Sequence, residues 1–379
     1  MPVLPCLSMK QRLLVVFFGV LVALFVGEVA VRIFNKELFS TSNLISRTLQ
    51  VTKIKKSSID ANLGWVLPFE SEKVYLNLSS NGLGGRSFRP YLVKTYGGFR
   101  NTPNNWNVRL DESKLVVALG DSFTFGVEVS DEETWPSHLQ ALSQLSVVNA
   151  GVSQYGLDQS VIRLKKTLET HQPKTVILSV IRESILRTQR KKQILSGAGE
   201  WIDRPYFLNK KGKLELQKLP IPPNDERMPL TGVRQWLGRS HMADWLLSRM
   251  SFNWWYGMNW GITIPPKFLT GEDPTNISCL LLEYFVELSK EHHFQPVVLG
   301  QYYWQDPYKK LESEPLTQEV LQCARKLGIL TIDLEDKLRE LAKKSPEEYN
   351  TLYFPFAHMT NRGNWWVAHE ISKVLFERK

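Results

Sequence analysis

Ser122 stands just past an unbroken apolar run, Leu115 to Leu119, with Gly120 and Asp121 between them. The run reads as a buried parallel strand feeding a tight turn. A small nucleophile just beyond the C-terminal end of such a strand is where open α/β sheets place their chemistry. Ester cleavage by a serine needs a base to take its proton and donors aimed at the developing oxyanion. The bland alternative is a serine that caps the helix-like stretch DEETWPSHLQAL. For the base, His358 lies in a loop before Thr360-Asn361-Arg362-Gly363, and His369 lies inside the amphipathic stretch that follows. His292 and His293 sit at a helix end, where a basic side chain suits the dipole.

The elements that must position these residues follow a regular alternation. Strands are expected at 115–119, 146–149, 175–180, 296–300 and 330–334. Helices are expected at 158–170, 277–292, 316–327 and 363–377. Strands alternating with helices argue for a parallel sheet covered on both faces, a three-layer α/β/α sandwich. Residues 190 to 275 break this rhythm. That insertion holds Trp201, Trp236, Trp245, Trp254, Trp255 and Trp260, six of the 12 tryptophans. It reads as a satellite core on the sheet or as a cap that stacks on sugar rings or dips into a membrane interface.

The run LVVALGDSFTFGVEV (115–129) resembles the first block of the SGNH (GDSL-type) hydrolases. VVNAGVSQYGLDQ (147–159) resembles the second block, VILSVIRESILR (176–187) falls where the third belongs, and FAHMTNRGNWWVAHEI (356–371) resembles the last. TYGGFRNTP (95–103) resembles a Gly-Phe-Arg segment found ahead of the first block in membrane-anchored bacterial members. Its plain reading is an ordinary turn with an exposed arginine. The resemblance covers roughly residues 95–190 and 276–379. It implies an SGNH/flavodoxin-like sheet, Ser122 as nucleophile with its N–H as an oxyanion donor, and His358 as base.

Three positions depart from that pattern. The aspartate expected two or three residues before the histidine is replaced by Phe356 and Pro355, so a Ser-His dyad, a backbone carbonyl or a distant acid must serve. Asp121, Glu183 and Asp333 are the candidate acids in sequence terms. The oxyanion glycine of the second block aligns with Gln154, for which Gly151 or Gly156 could substitute in a shifted loop. The Asn-Asp pair of the third block is replaced by Glu183-Ser184 behind Arg182; an ionised Glu183 offers acceptors only, so it would serve the oxyanion or substrate there if protonated or paired with Arg182.

Leu13 to Gly27 is continuously apolar and extends to about Phe34, long enough to cross a bilayer. A transmembrane signal anchor is expected over 12–34, Glu28 and Arg32 being four apart and able to pair. A cleaved signal peptide competes with it. Residues 35–110 read as a juxtamembrane stalk and extension with short strands or loops, and 111–379 as the hydrolase-like domain. Cys279 and Cys323 could pair in an exported protein, but each falls on a helical apolar pattern and the two read as buried free thiols, while Cys6 precedes the apolar run. The formal charge of +9 comes without a nucleic-acid motif and suits anionic lipid or an acidic polysaccharide. No metal or organic cofactor is expected, and no nucleic-acid partner.

The expected function is a serine esterase or deacylase, held in the inner membrane by a single span, with its domain in the periplasm or outside the cell. Its substrate would be an ester or acylated glycan. An O-acetyltransferase, or a degenerate relative that binds a polysaccharide or protein, stays open as the alternative.

Overall fold

The structure is a computed structural model and describes residues 8–34, 59–80, 86–103, 112–194, 200–217, 226–227, 237, 240–250, 264–309, 311–354 and 358–376. Two units are distinguished: residues 1–53, 194–200 and 227–262 form one, and the remainder forms the other.

In the larger unit, eight strands share one sheet: β1 (Glu70–Ser80), β2 (Arg86–Tyr96), β3 (Phe99–Arg100), β4 (Leu115–Leu119), β5 (Ser146–Asn149), β6 (Thr175–Val180), β7 (Gln295–Gly300) and β8 (Leu330–Asp333). Their order is β8-β7-β6-β4-β5-β3-β2-β1. The five strands β4 to β8 are parallel, with Val117 opposite both Val148 and Val176, and Val297 opposite Ile177 and Leu330. Their helical crossovers bury both faces, which is why their residues are almost uniformly apolar.

Alternate residues of β4 divide between the two faces. Leu115, Val117 and Leu119 pack with α4 (Leu157–Leu168), the short α5 (Arg182–Arg187), α7 (Pro274–His292) and α8 (Pro315–Lys326). Val116 and Ala118 pack with α3 (Trp135–Ser143), α9 (Glu335–Lys344) and α10 (Asn361–Leu375). The result is the expected three-layer sandwich. Counted among the parallel strands alone, the order is 2-1-3-4-5, so the direction of winding reverses between β4 and β6. Ligands of open α/β sheets bind outside the carboxyl ends of the strands at such a switch point.

Several expectations change. Residues 70–96 are not short pieces but two eleven-residue strands, β1 and β2, in an antiparallel hairpin that widens the sheet. Cys279 and Cys323 are joined in a disulfide between α7 and α8, with Cα atoms 5.6 Å apart. The apolar periodicity located each cysteine's helical face. It carried no signal that these two faces meet. Trp201 is buried against Phe268. Trp236, Trp254, Trp255, Trp260, the side chain of Trp245 and Cys6 lie outside the described residues.

In the smaller unit, α1 (Met9–Phe34) is long and apolar enough over Met9–Ala30 to cross a membrane, with mean hydropathy 2.7. The Glu28 carboxylate accepts from Ser240 Oγ at 2.7 Å and from the Met242 N–H at 3.0 Å. It thereby caps the start of α6 (His241–Met250). The Arg32 side chain lies outside the described residues.

Candidate active site

Chain geometry at the end of β4 is set by Gly120, whose φ of +152° falls where L side chains rarely go and whose added Cβ would overlap Thr124 Oγ1. Asp121 then caps the short helix α2 (Ser122–Phe125), accepting from the Phe123 N–H at 3.1 Å. Ser122 therefore starts a helix at the carboxyl edge of the sheet, beside the switch point, with 5 % of its surface exposed.

Beyond α2 the chain is tied down by Arg100. Its guanidinium donates to the carbonyls of Phe125 (2.6 Å), Gly126 (2.5 Å) and Val129 (2.6 Å) and, through Nε, to Asp131 (3.0 Å). Burial pushes the Asp131 carboxyl up, although Arg100, Asn101 and the Lys94 N–H all favour its charged form. The turn reading of the Gly-Phe-Arg segment holds at Gly97-Gly98, but Arg100 is 1 % exposed and not a surface arginine. It fixes the loop that follows Ser122 and α2.

That loop carries Glu128 at φ +76°, an uncommon conformation for a side chain of this size. Strain of this kind persists only where surrounding contacts over-determine it. Here Arg100 grips carbonyls on both sides of the residue. The Glu128 carboxylate accepts from His358 Nδ1 at 2.9 Å and from the His358 N–H at 3.2 Å. The His358 ring lies 5.3 Å from the Phe123 ring, against the residue next to Ser122. The loop is held from below: Phe354 N–H donates to the His358 carbonyl, and Thr360 caps α10. Asn364 donates to the Met359 carbonyl and accepts from the Trp135 N–H, joining α10 to α3. Among the described residues no hydrogen bond joins Ser122 Oγ to His358; in unliganded sites such bonds are often long and tighten in the complex.

Glu128 is the carboxylate missing from the sequence reading. Asp121 does not face His358: its carboxylate accepts from Arg187 Nη1 at 2.9 Å. Burial works against the Arg187 guanidinium, but Asp121, Tyr303 and Glu183 together hold the group above its usual value. Asp333 is engaged by Tyr302, Gln318 and Arg325. Glu183 accepts from Arg182 at 3.0 Å, and its other oxygen is buried with no donor among the described residues. The one sequence signal for Glu128 is a lone carboxylate among apolar residues, GVEV, which says nothing of its partner.

The second block is also rearranged. Gly151 gives its N–H to Asn149 Oδ1 at 3.1 Å, so that donor is committed within the loop. A Cβ at Gly151 would overlap the Phe125 N–H, which makes this glycine a spacer that lets α2 approach. Gln154 takes the left-handed conformation (φ +67°) that a glycine would suit, and its side-chain oxygen accepts from Gln193 at 2.9 Å. A Cβ at Gly156 would overlap Asp158, so this glycine too is held by packing. His369 stacks on Trp365 within α10.

No protein-family profile matches the chain. Over 117 residues it is 26 % identical to an arylesterase of Vibrio mimicus, a match spanning 30 % of this chain and 58 % of that protein. Among solved structures it is similar to a member of the lipolytic G-D-S-L family from Veillonella parvula (12 % identity, TM-score 0.38, covering 70 % of this chain and 99 % of that one). It is also similar to an acetyl xylan esterase (12 %, TM-score 0.39, 69 % and 100 %) and to a two-domain esterase active on acetylated mannans (10 %, TM-score 0.37, 70 % and 50 %).

Proposed function

We propose that the chain is a serine esterase of the SGNH (GDSL) type in which Ser122, His358 and Glu128 form the catalytic set. The observation that carries this reading is the 2.9 Å contact between Glu128 and His358 Nδ1, made beside α2 at the switch point of the sheet. With Nδ1–H donated to Glu128, the tautomer is fixed and Nε2 is left as an acceptor. Nε2 would take the Ser122 proton as Oγ attacks the acyl carbon, and Glu128 would stabilise the imidazolium. The same proton then goes to the departing alcohol, and water resolves the acyl-enzyme. The Ser122 N–H, at the start of α2, is the first oxyanion donor, and the loop carrying Gln154 supplies the second.

We further propose that the enzyme acts outside the cytoplasm on O-acyl groups of a glycan or other envelope component, tethered by α1. The disulfide supports this compartment, because such bonds persist in oxidising surroundings. Transfer of the acyl group to a sugar hydroxyl would use the same residues.

A fluorophosphonate probe on the purified protein tests the assignment. Labelling should be abolished in Ser122→Ala and slowed in His358→Ala and Glu128→Gln, with phenyl acetate hydrolysis falling in parallel. A folded wild-type protein that neither labels nor hydrolyses esters would leave the site as a binding cleft.

A further inference from the structure

The segment leaving β6 is rich in cations, and most bring their own carboxylate. Arg187 has Asp121, Arg204 has Asp158, Lys192 has Asp203 at 3.1 Å, and Arg182 has Glu183. Arg190 and Lys191 are without one among the described residues; of the two, Arg190 is bonded to the side-chain network that reaches the loop after β5. Its side-chain bond goes to a neutral acceptor, Gln193 Oε1, at 3.0 Å, and no carboxylate lies within ion-pair distance among the described residues. Burial, with Arg187 and Arg204 nearby, pushes its guanidinium down to about 9, against the opposing pull of Glu183 and Tyr303. A half-buried cation held near two others is electrostatically incomplete, because removing charge from water without a counter-charge is unfavourable.

Its position gives that incompleteness a direction. Gln193, bonded to Arg190, donates through Nε2 to Gln154 on the loop after β5. Arg187 binds both the residue preceding Ser122 and the hydroxyl of Tyr303, whose ring meets Phe123 edge-on at 5.0 Å. Arg190 thus belongs to the same shell of side chains that surrounds the nucleophile turn. Nearby, Glu183 Oε2 is buried with no donor among the described residues, although its charge is felt by Arg190 and Tyr303.

We infer that Arg190 recognises a carboxylate carried by the substrate, so that the preferred ester is anionic. This rests on the esterase reading for its chemistry, but not for its binding. Nη1 is held by Gln193, which leaves the Nε–Nη2 edge of the guanidinium to meet a carboxylate in a two-point contact.

Three esters test it: neutral phenyl acetate, 4-acetoxybenzoate with the carboxylate on the leaving phenol, and monophenyl glutarate with it on the acyl chain. One anionic ester should exceed phenyl acetate in kcat/KM by about tenfold or more. That ratio should collapse towards one in Arg190→Gln and be partly kept in Arg190→Lys; which ester responds identifies the side of the bond. Separately, glutarate and neutral 1,5-pentanediol are titrated calorimetrically into Ser122→Ala and into Ser122→Ala carrying Arg190→Gln. Glutarate binding that needs Arg190, without turnover of any ester, would sink the esterase reading and keep this one. Equal kcat/KM for all three esters, or glutarate affinity no greater than that of the diol, would overturn the role of Arg190. An anion preference that survives in Arg190→Gln would do the same.

Discussion

Arg100 and Arg190 connect to the surroundings of Ser122 through different elements, and their own surroundings differ in kind. Arg100 is buried with Asp131 at 3.0 Å and also satisfies three backbone carbonyls. Arg190 has one neutral acceptor, two cationic neighbours and no ion pair among the described residues. A buried cation whose donors are all matched within the chain is part of the architecture. A cation left unmatched by its own chain is suited to something the chain does not contain. Under the proposed function, the loop of residues 125–131 is the rigid side of the site that aims Glu128, and residues 182–193 are the side proposed to meet substrate.

The sharpest way to break this contrast is Arg100→Met. It strands the Asp131 charge and three carbonyls, so unfolding in urea should show a loss of roughly 3–5 kcal/mol. Activity should fall as well, since Glu128 loses the loop geometry that aims it. A small loss in both would mean that the loop holds itself. Glu128→Gln comes next, a change that keeps shape while removing the charge that steadies the imidazolium. Steady-state kinetics should show kcat reduced by about a hundredfold to ten-thousandfold, with KM less affected. An unaltered kcat would reduce the site to a Ser-His dyad.

Arg190→Gln should leave stability unchanged or raise it by up to about 1 kcal/mol, because it removes an uncompensated cation from beside two others. A loss as large as that of Arg100→Met would erase the distinction between the two regions. The smallest effect is expected from Gln154→Gly. Relief of the left-handed backbone is offset by greater chain entropy and the lost Gln193 contact, so the thermal midpoint should move by no more than about 0.5 kcal/mol equivalent. A larger destabilisation would show that the Gln154–Gln193 contact organises the binding side.

Much of the sheet was legible in the chain because burial on both faces writes itself as short apolar runs. The expected strands at 115–119, 146–149 and 175–180 coincide with β4, β5 and β6, and the helices at 277–292 and 316–327 agree with α7 and α8 within a few residues. Periodicity reports which face of an element is buried, and that is a local property. It predicted that Cys279 and Cys323 face inwards, but not that they face each other. Turn chemistry was local too, which is why Gly120, Asp121 and Ser122 could be read as a strand-to-helix turn before any coordinates.

Pairing is not local. Three carboxylates were candidates for the acid on grounds of residue type, and the fold gave each of them another partner. Glu128 and His358, 230 positions apart, meet because α3 and α10 share one face of the sheet and Arg100 pins the intervening loop. The residue types needed for ester chemistry were thus present in the sequence alone, along with the strand that presents the serine. Which carboxylate answers the histidine, and that Arg190 meets a neutral acceptor in place of one, depended on distances between elements far apart in the chain. Only the packed tertiary structure could set those distances.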